Sequence, residues 1–238
     1  MPSIETVAVV PAAGSGSRVG RSSPKQFLRL GGVPLLVRTL ATLGRSRVIG
    51  GIVVVAPPSA VGRTRQLIKR YRLPRMLAVI SGGRERQESV WLGLQAVPSA
   101  AELVVVHDGV RPFITGALVR AVVEAARRFG AAASGLPVRE TVKRAREGFI
   151  QATVEREGLW LVQTPQAFRR TLLWEAHEKA RQDGFRGTDD AVLVERLGAP
   201  VRMVPGLLGN FKITTPDDLA RARAVVGARV PAEGGSAR

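Results

Sequence analysis

The chain has 238 residues, 45% of them hydrophobic, with 36 Lys and Arg against 19 Asp and Glu and a net charge of +17. That length and apolar share suit one generous domain or two small ones with a real core, and exclude a wholly disordered chain or a long coiled coil. Cysteine is absent, which excludes a disulfide framework, a thiolate metal site and a cysteine nucleophile, and no apolar run approaches the length of a membrane span.

Thr6–Val10 is apolar and β-branched and predicts a first strand, followed by a Gly/Ser-rich loop at Ala12–Ser23. Pro34–Leu43 reads as a helix opened by proline and closed by Gly44. Gly51–Val55 is a buried strand, Pro58–Tyr71 a helix, Leu77–Ile80 a short strand and Ser81–Arg86 a loop. Glu88–Ala96 is the next helix, and Glu102–His107 another buried strand. Thr115–Phe129 is a helix with Leu118, Val122, Ala125 and Phe129 on its apolar face, and Ala131–Gly135 is a strand. From about Pro137 to Trp160 the alternation breaks. Two strands, Thr141–Lys143 and Ile150–Val154, flank a turn at Arg146–Gly148, and their polar character predicts a protruding β-arm. Helices return at Arg170–Asp183 and Asp189–Leu197, then a strand at Val201–Val204 and a helix at Pro216–Val226.

This order predicts an α/β fold, a doubly wound, mainly parallel, Rossmann-like sheet with helices on both faces. Residues 1–228 make one domain that includes the arm, and 229–238 read as a disordered tail. Ligands of such sheets sit at the carboxyl ends of the strands, where the loops at 11–25, 81–89 and 107–112 converge. The chain enters its first strand without a charged leader and cleavage site, and it has no N-x-[ST] sequon, which predicts a cytoplasmic protein away from membranes.

Charge narrows the ligand. Between Glu5 and Glu85 no acidic residue occurs, while 14 basic residues do. An anion is expected there: phosphates, nucleic acid or acidic lipid. Aromatics are 5% of the chain and Tyr71 is the only tyrosine, so platforms for stacking bases are scarce and no specific nucleic acid is expected.

The first loop reads Pro11-Ala12-Ala13-Gly14-Ser15-Gly16-Ser17-Arg18, then Gly20, then Pro24-Lys25-Gln26. Small residues after a buried strand let backbone N–H groups approach a phosphate chain. Three readings compete. A dinucleotide-binding turn fits Gly14, Gly16 and Gly20, yet it wants an acid some way on for the ribose, and none appears before Glu85. Tyr71 also lacks the lysine four residues later that would pair with it in a short-chain dehydrogenase. A P-loop is a near miss at Gly20-Arg21-Ser22, with Arg for the lysine and no glycine five residues before Gly20. The nucleotidyltransferase signature A-A-G-x-G-x-R followed by P-K-Q has all its elements present.

Further motifs follow in order: Gly82-Gly83 with Arg86 and Ser89-Val90; His107-Asp108 with Arg111-Pro112; Val138–Arg144; Thr153-Val154-Glu155-Arg156; Thr164-Pro165-Gln166-Ala167-Phe168; Thr188-Asp189-Asp190; and Lys212-Ile213-Thr214 ahead of Pro216, Asp218 and Leu219. Together with the first loop they resemble the 2-C-methyl-D-erythritol 4-phosphate cytidylyltransferases of the non-mevalonate isoprenoid pathway, over nearly the whole chain. The resemblance implies transfer of CMP from CTP to 2-C-methyl-D-erythritol 4-phosphate by attack of the substrate phosphate on the α-phosphorus. Arg18 and Lys25 are similar to residues that stabilise the pentacoordinate phosphorus, and Lys212 to the lysine that positions the attacking phosphate. Of the 36 cations 31 are arginine, so lysine at 25 and 212 marks places where a compact point charge matters.

Pro11, Ala12, Ala13, Gly14 and Gly16 then form the backbone cradle of the nucleotide, and Gly83 and Ser89 resemble the cytosine and ribose contacts. Asp108 resembles a residue that contacts the substrate hydroxyls near the magnesium, and Arg111 one that helps hold the substrate. Thr164 and Thr188 resemble further hydroxyl donors. In the family the arm crosses to a second subunit, so Thr141 and Arg156 are expected to serve the neighbour's site, Arg156 at the substrate phosphate. A homodimer and Mg2+, carried mainly by the CTP phosphates, complete the implication. The chain departs from the family at Arg84, where Asp is common, and at Gly109 and Val110, where two alanines are. Two other readings are a ribitol-5-phosphate cytidylyltransferase, which shares most of these motifs, and an NADP-binding oxidoreductase, disfavoured by the missing acid and Tyr/Lys pair.

Overall fold

A computed structural model describes residues 4–14 and 24–227 of the protein. Gly16, Arg18 and the tail at 229–238 lie outside the described residues. In chain order the elements are β1 (Thr6–Pro11), β2 (Arg29–Leu30), β3 (Val33–Pro34), α1 (Leu35–Arg45), β4 (Gly51–Ala56), α2 (Val61–Arg70) and β5 (Met76–Ser81). Then come α3 (Arg86–Gln95), β6 (Leu103–Val106), α4 (Gly116–Phe129), β7 (Ala131–Pro137), β8 (Val142–Arg146), β9 (Phe149–Val154) and β10 (Trp160–Arg169). The chain closes with α5 (Arg170–Gln182), α6 (Ala191–Glu195), β11 (Arg202–Pro205) and α7 (Pro216–Gly227).

Seven strands form one sheet in the order β11-β7-β10-β6-β1-β4-β5. β10 is antiparallel to both neighbours, and every other pairing is parallel. The fold is therefore the doubly wound, mainly parallel sheet that the alternation predicts. Its continuous Val/Ile runs are explained by burial on both faces. Successive side chains point to opposite faces, so Ala8, Val10, Ile52, Val54 and Val105 pack under α1 and α4. Val7, Val9, Val53, Val55, Val104 and Val106 pack under α3, α5 and α6. Each valine so enclosed contributes about 1.5–3 kcal/mol. A third, smaller cluster joins Leu30 and Leu35 to Ile213, Leu219 and Ala222, and docks α7 beside the start of α1.

Several boundaries differ from the pattern reading. Gly44 does not end α1, which runs on to Arg45. Its role is close approach, since a Cβ there would stand 3.0 Å from the carbonyl oxygen of Pro74. The buried face of α4 is Leu118, Val119, Val122, Val123 and Ala126, while Phe129 is 44% exposed. The guanidinium groups of Arg128 and Arg202 lie over the Phe129 ring. α3 starts at Arg86, two residues before the expected Glu88. β10 has no counterpart among the expected elements, because Gln163, Thr164, Pro165 and Gln166 interrupt its apolar pattern. Its register shifts between Val162 and Gln166.

The arm is the hairpin β8–β9. Glu147 and Gly148, between the paired Arg146 and Phe149, both have positive φ, +55° and +85°. That is the backbone of a two-residue turn whose twist matches the strands it joins. Both strands are almost wholly exposed.

Candidate active site

Going outward from β1, the strand order turns to β4 on one side and β6 on the other, so a crevice opens at their carboxyl ends. The loops after β1, β5 and β6 meet there around a cleft of about 460 Å³. Gly82 shows how closely they meet: a Cβ there would lie 2.5 Å from that of Ala13 and 2.8 Å from Ser89 Oγ. Pro11, Ala12, Ala13 and Gly14 line one wall, with Lys25 from the short helical turn Lys25–Phe27. Gly83 and Ser89 line another. Ser89 is buried; its hydroxyl accepts the Gly83 N–H at 3.2 Å and donates to the Glu85 carbonyl at 3.0 Å, which shapes the loop into α3.

Asp108 follows β6 and is 5% exposed. Three cations surround its carboxylate: Arg86 Nε at 3.1 Å, Lys212 Nζ at 3.0 Å and Arg111 Nε at 3.5 Å. Burial would raise the acid's pKa, but the charges of Arg86, Lys212 and Arg111 outweigh it and hold Asp108 well below the usual carboxylate range. Lys212 is brought there by its neighbour Ile213, which is fully buried and donates its N–H to the Val110 carbonyl at 3.0 Å. Arg111 is fixed by donating to the Asn210 carbonyl at 2.9 Å. A second hollow of about 110 Å³ shares Arg86, Asp108, Thr188 and Lys212 with the cleft and adds Arg111 and Thr164.

Beneath Asp108, His107 is fully buried. Its Nε2 lies 3.4 Å from the Arg111 carbonyl and its Nδ1 3.0 Å from Thr164 Oγ1. A carbonyl only accepts, so the ring proton sits on Nε2 and the Thr164 hydroxyl donates to Nδ1. That hydroxyl also accepts the Asp108 N–H at 3.1 Å. Burial pushes the His107 pKa from 6.5 down to about 4, with Arg111 adding to the fall and Asp108 opposing it. The group is a packed, neutral histidine.

A pH dependence follows. In the unfolded chain the imidazole takes up a proton below 6.5, and in the folded one only below about 4. Stability is therefore complete above the upper value and falls as the pH drops through that window, by at most about 3 kcal/mol. Urea unfolding at several pH values should show this slope in the wild type and a shallower one in His107→Asn. Parallel slopes in the two proteins would remove His107 as its source.

A family model for 2-C-methyl-D-erythritol 4-phosphate cytidylyltransferase (IspD) matches residues 6–228. The chain belongs to this family. The cytidylyltransferase of that name from Syntrophus aciditrophicus is 49% identical over 222 residues, spanning 92% of this chain and 95% of the relative. The crystal structure of the 2-C-methyl-D-erythritol 4-phosphate cytidylyltransferase of Thermus thermophilus is similar, with 40% identity, a TM-score of 0.77 and coverage of 93% and 98%. That of a 4-diphosphocytidyl-2C-methyl-D-erythritol synthase from Anaerococcus prevotii has 30% identity, a TM-score of 0.83 and coverage of 93% and 96%. As a cytidylyltransferase the chain is a nucleotidyltransferase, an enzyme.

Around the cleft of this cytidylyltransferase, Pro11–Gly14, Lys25, Gly83, Ser89, Asp108, Thr188 and Lys212 come together, with Arg111 and Thr164 in the adjoining hollow. Gly16 and Arg18 lie outside the described residues. Thr141 and Arg156 are exposed and line neither space in their own chain. Arg156 instead donates to the Arg139 carbonyl within the arm. The motif at Gly82–Val90 contains Arg86, yet sequence reasoning assigns that residue no role. It occupies the first turn of α3, where the helix dipole disfavours a cation, and its two carboxylate partners offset this. One is Asp108; the other is Asp190, at 2.8 Å from Nη1.

Proposed function

We propose that this cleft is where CMP passes from CTP to 2-C-methyl-D-erythritol 4-phosphate, giving 4-diphosphocytidyl-2-C-methyl-D-erythritol and pyrophosphate. What carries the reading is the single carboxylate of Asp108 among three cations, beside a loop of small residues at the strand ends. Such a place suits two anionic reactants. An oxygen of the substrate phosphate bonds to the α-phosphorus of CTP in line with the bond to the β-phosphate, which breaks as pyrophosphate leaves. Both reactants are already ionised, so no protein nucleophile or base is required, and alignment with charge neutralisation is the task. Lys25 and Arg18 stabilise the extra charge at the α-phosphorus, and Lys212 holds the attacking phosphate. Asp108 takes the polyol hydroxyls, with Arg111, Thr164 and Thr188 completing that end. Backbone groups at 11–14, with Gly16, cradle the nucleotide, and Gly83 and Ser89 meet its base and ribose.

Pyrophosphate release should require both CTP and 2-C-methyl-D-erythritol 4-phosphate. A higher kcat/KM with ribitol 5-phosphate would replace this reading with the sister activity.

Among the described residues no group of three or more His, Asp or Glu could hold a metal. Among the described residues Asp108 is the one acid buried against the cleft, and since three cations already hold it, a hard cation would draw most of its sphere from phosphate oxygens and water. Magnesium bound there would neutralise triphosphate charge. Calorimetry is expected to find magnesium binding much weaker without CTP than with it. Tight, stoichiometric binding to the free protein would contradict this assignment.

The working unit is a homodimer in which each arm reaches the other subunit's cleft and supplies Arg156 and Thr141. Support comes from apolar side chains left in solvent along the arm and its root: Phe149 is 78% exposed, Ile150 68% and Leu161 60%. An isolated two-stranded ribbon with such a surface gains order only against a partner. No helix among the described residues is long and apolar enough to cross a membrane. We place the enzyme in the cytoplasm, where CTP is found.

A further inference from the structure

Arg86 connects Asp108 to a second, deeper pair. His177 of α5 and Asp190, just ahead of α6, are both fully buried, and His177 Nε2 lies 3.2 Å from Asp190 Oδ1. The other oxygen of Asp190 lies 2.8 Å from Arg86 Nη1, and Arg86 Nε lies 3.1 Å from Asp108 Oδ1. The four side chains form one line of contacts into the cleft, a hydrogen bond from Arg86 Nε to Asp108 and an ion pair, without hydrogen-bond alignment, from Arg86 Nη1 to Asp190. Its inner end is well anchored. The His177 ring stacks on Trp91 at 6.1 Å between centroids. The Asp190 N–H donates to Gln166 Oε1 at 3.2 Å.

Stability alone does not account for this pair. His177 Nδ1 is buried with no hydrogen-bond partner, and a carboxylate between an imidazole and a guanidinium has been taken wholly out of water. Apolar side chains of similar volume would fill the space without either cost. What the pair supplies is direction. A guanidinium is a rigid plane, so clamping one edge on Asp190 fixes where the other edge meets Asp108. With Arg86 in place, the Asp108 charge is shared among three cations. Without it, Lys212 and Arg111 would be drawn onto Asp108 and away from an incoming phosphate.

We infer that His177 and Asp190 are positioning residues for the transfer, acting through Arg86 to set Asp108, Lys212 and Arg111 for the polyol phosphate. The inference rests on the function proposed above. It predicts a split between the two substrates, because the nucleotide wall at 11–14, Gly83 and Ser89 takes no part in the line.

The test is steady-state pyrophosphate release by His177→Phe, His177→Gln and Asp190→Asn, with CTP binding followed by calorimetry. His177→Phe and Asp190→Asn should lower kcat/KM for 2-C-methyl-D-erythritol 4-phosphate by about tenfold to a hundredfold, with CTP affinity within about twofold of wild type. His177→Gln, whose amide N–H can reach Asp190, should recover most of the loss. Equal losses for both substrates, unchanged kinetics, or a glutamine no better than phenylalanine would each overturn the inference. If His177→Phe does not fold, Asp190→Asn decides, and its failure to bind CTP would mark the pair as purely structural. An active wild type with unmoved variants sinks this inference alone, whereas a wild type inactive on CTP and 2-C-methyl-D-erythritol 4-phosphate sinks the proposed function as well.

Discussion

Replacing Lys25 by alanine is expected to lower kcat by roughly 10²–10³, the loss typical of one preorganised donor aimed at developing charge. The Michaelis constant for CTP should move much less. The reason lies in when the charge matters. In the proposed ground state the triphosphate would be spread over several backbone N–H groups and its own metal, so one cation more would change binding little. In the transition state a fifth oxygen crowds the α-phosphorus, and of the two cations assigned there, Arg18 alone would remain. Lys25 lines the cleft from a short turn held by the Phe27 N–H on the Pro24 carbonyl at 3.0 Å and the Leu28 N–H on the Lys25 carbonyl at 3.0 Å. Its backbone is placed before substrate arrives. A variant with kcat within about threefold of wild type would take Lys25 off the catalytic list.

The second large effect is one of recovery. Arg156→Ala and Lys25→Ala should each be nearly inactive as homodimers. Mixed under conditions that exchange subunits, they should regain activity. If the arms cross in a homodimer as proposed, one cleft of a mixed dimer would combine an intact Lys25 with the partner's intact Arg156, and the other would lack both. With random exchange about half the dimers are mixed, so about a quarter of the wild-type sites should reappear. The expectation follows from where Arg156 stands: on an exposed hairpin, bonded to the Arg139 carbonyl, and in neither hollow of its own chain. If exchange is verified by mass and no activity returns, Arg156 acts within its own subunit or not at all.

The winding of the sheet is legible because strands enclosed on both faces must be apolar throughout, as Val7–Val10, Ile52–Val55 and Leu103–Val106 are. The hairpin is legible from a change in the same signal, polar strands around a Glu-Gly turn. β10 is not, since its buried residues Gln163, Thr164 and Gln166 are polar. They are tolerated because each has a distant partner. Gln163 Nε2 donates to the Leu207 carbonyl at 3.0 Å and Gln166 Nε2 to Asp189 Oδ2 at 2.7 Å, while Thr164 holds His107. No periodicity reports a bond to a residue 44 positions away. The same holds for the site. Charged residues that stand in the motifs and line the cleft announce themselves, as Lys25, Asp108 and Lys212 do. Arg86 and Asp190 stand inside motifs, but His177 is in none, and the contacts that join the three, with His177 and Asp190 13 residues apart, leave no pattern in the sequence.

Strand β10 gives the arm a mechanical meaning. Trp160, Leu161 and Val162 pair with β7 at the arm's root, and beyond the register shift Gln166, Ala167 and Phe168 pair with β6 and β7 together. Between the two stretches lies Thr164, whose hydroxyl holds the Asp108 N–H. The strand thus joins the arm's root to the backbone that carries Asp108, through the irregular segment at Thr164. This sets unequal tolerances for length along one ribbon. A residue added at the Glu147–Gly148 tip leaves every root pairing untouched. A residue added among Gln166–Phe168 turns Ala167 and Phe168 to the wrong faces of the sheet, and Thr164 is dragged with them. Arms of many lengths are compatible with this chemistry, whereas the root admits one.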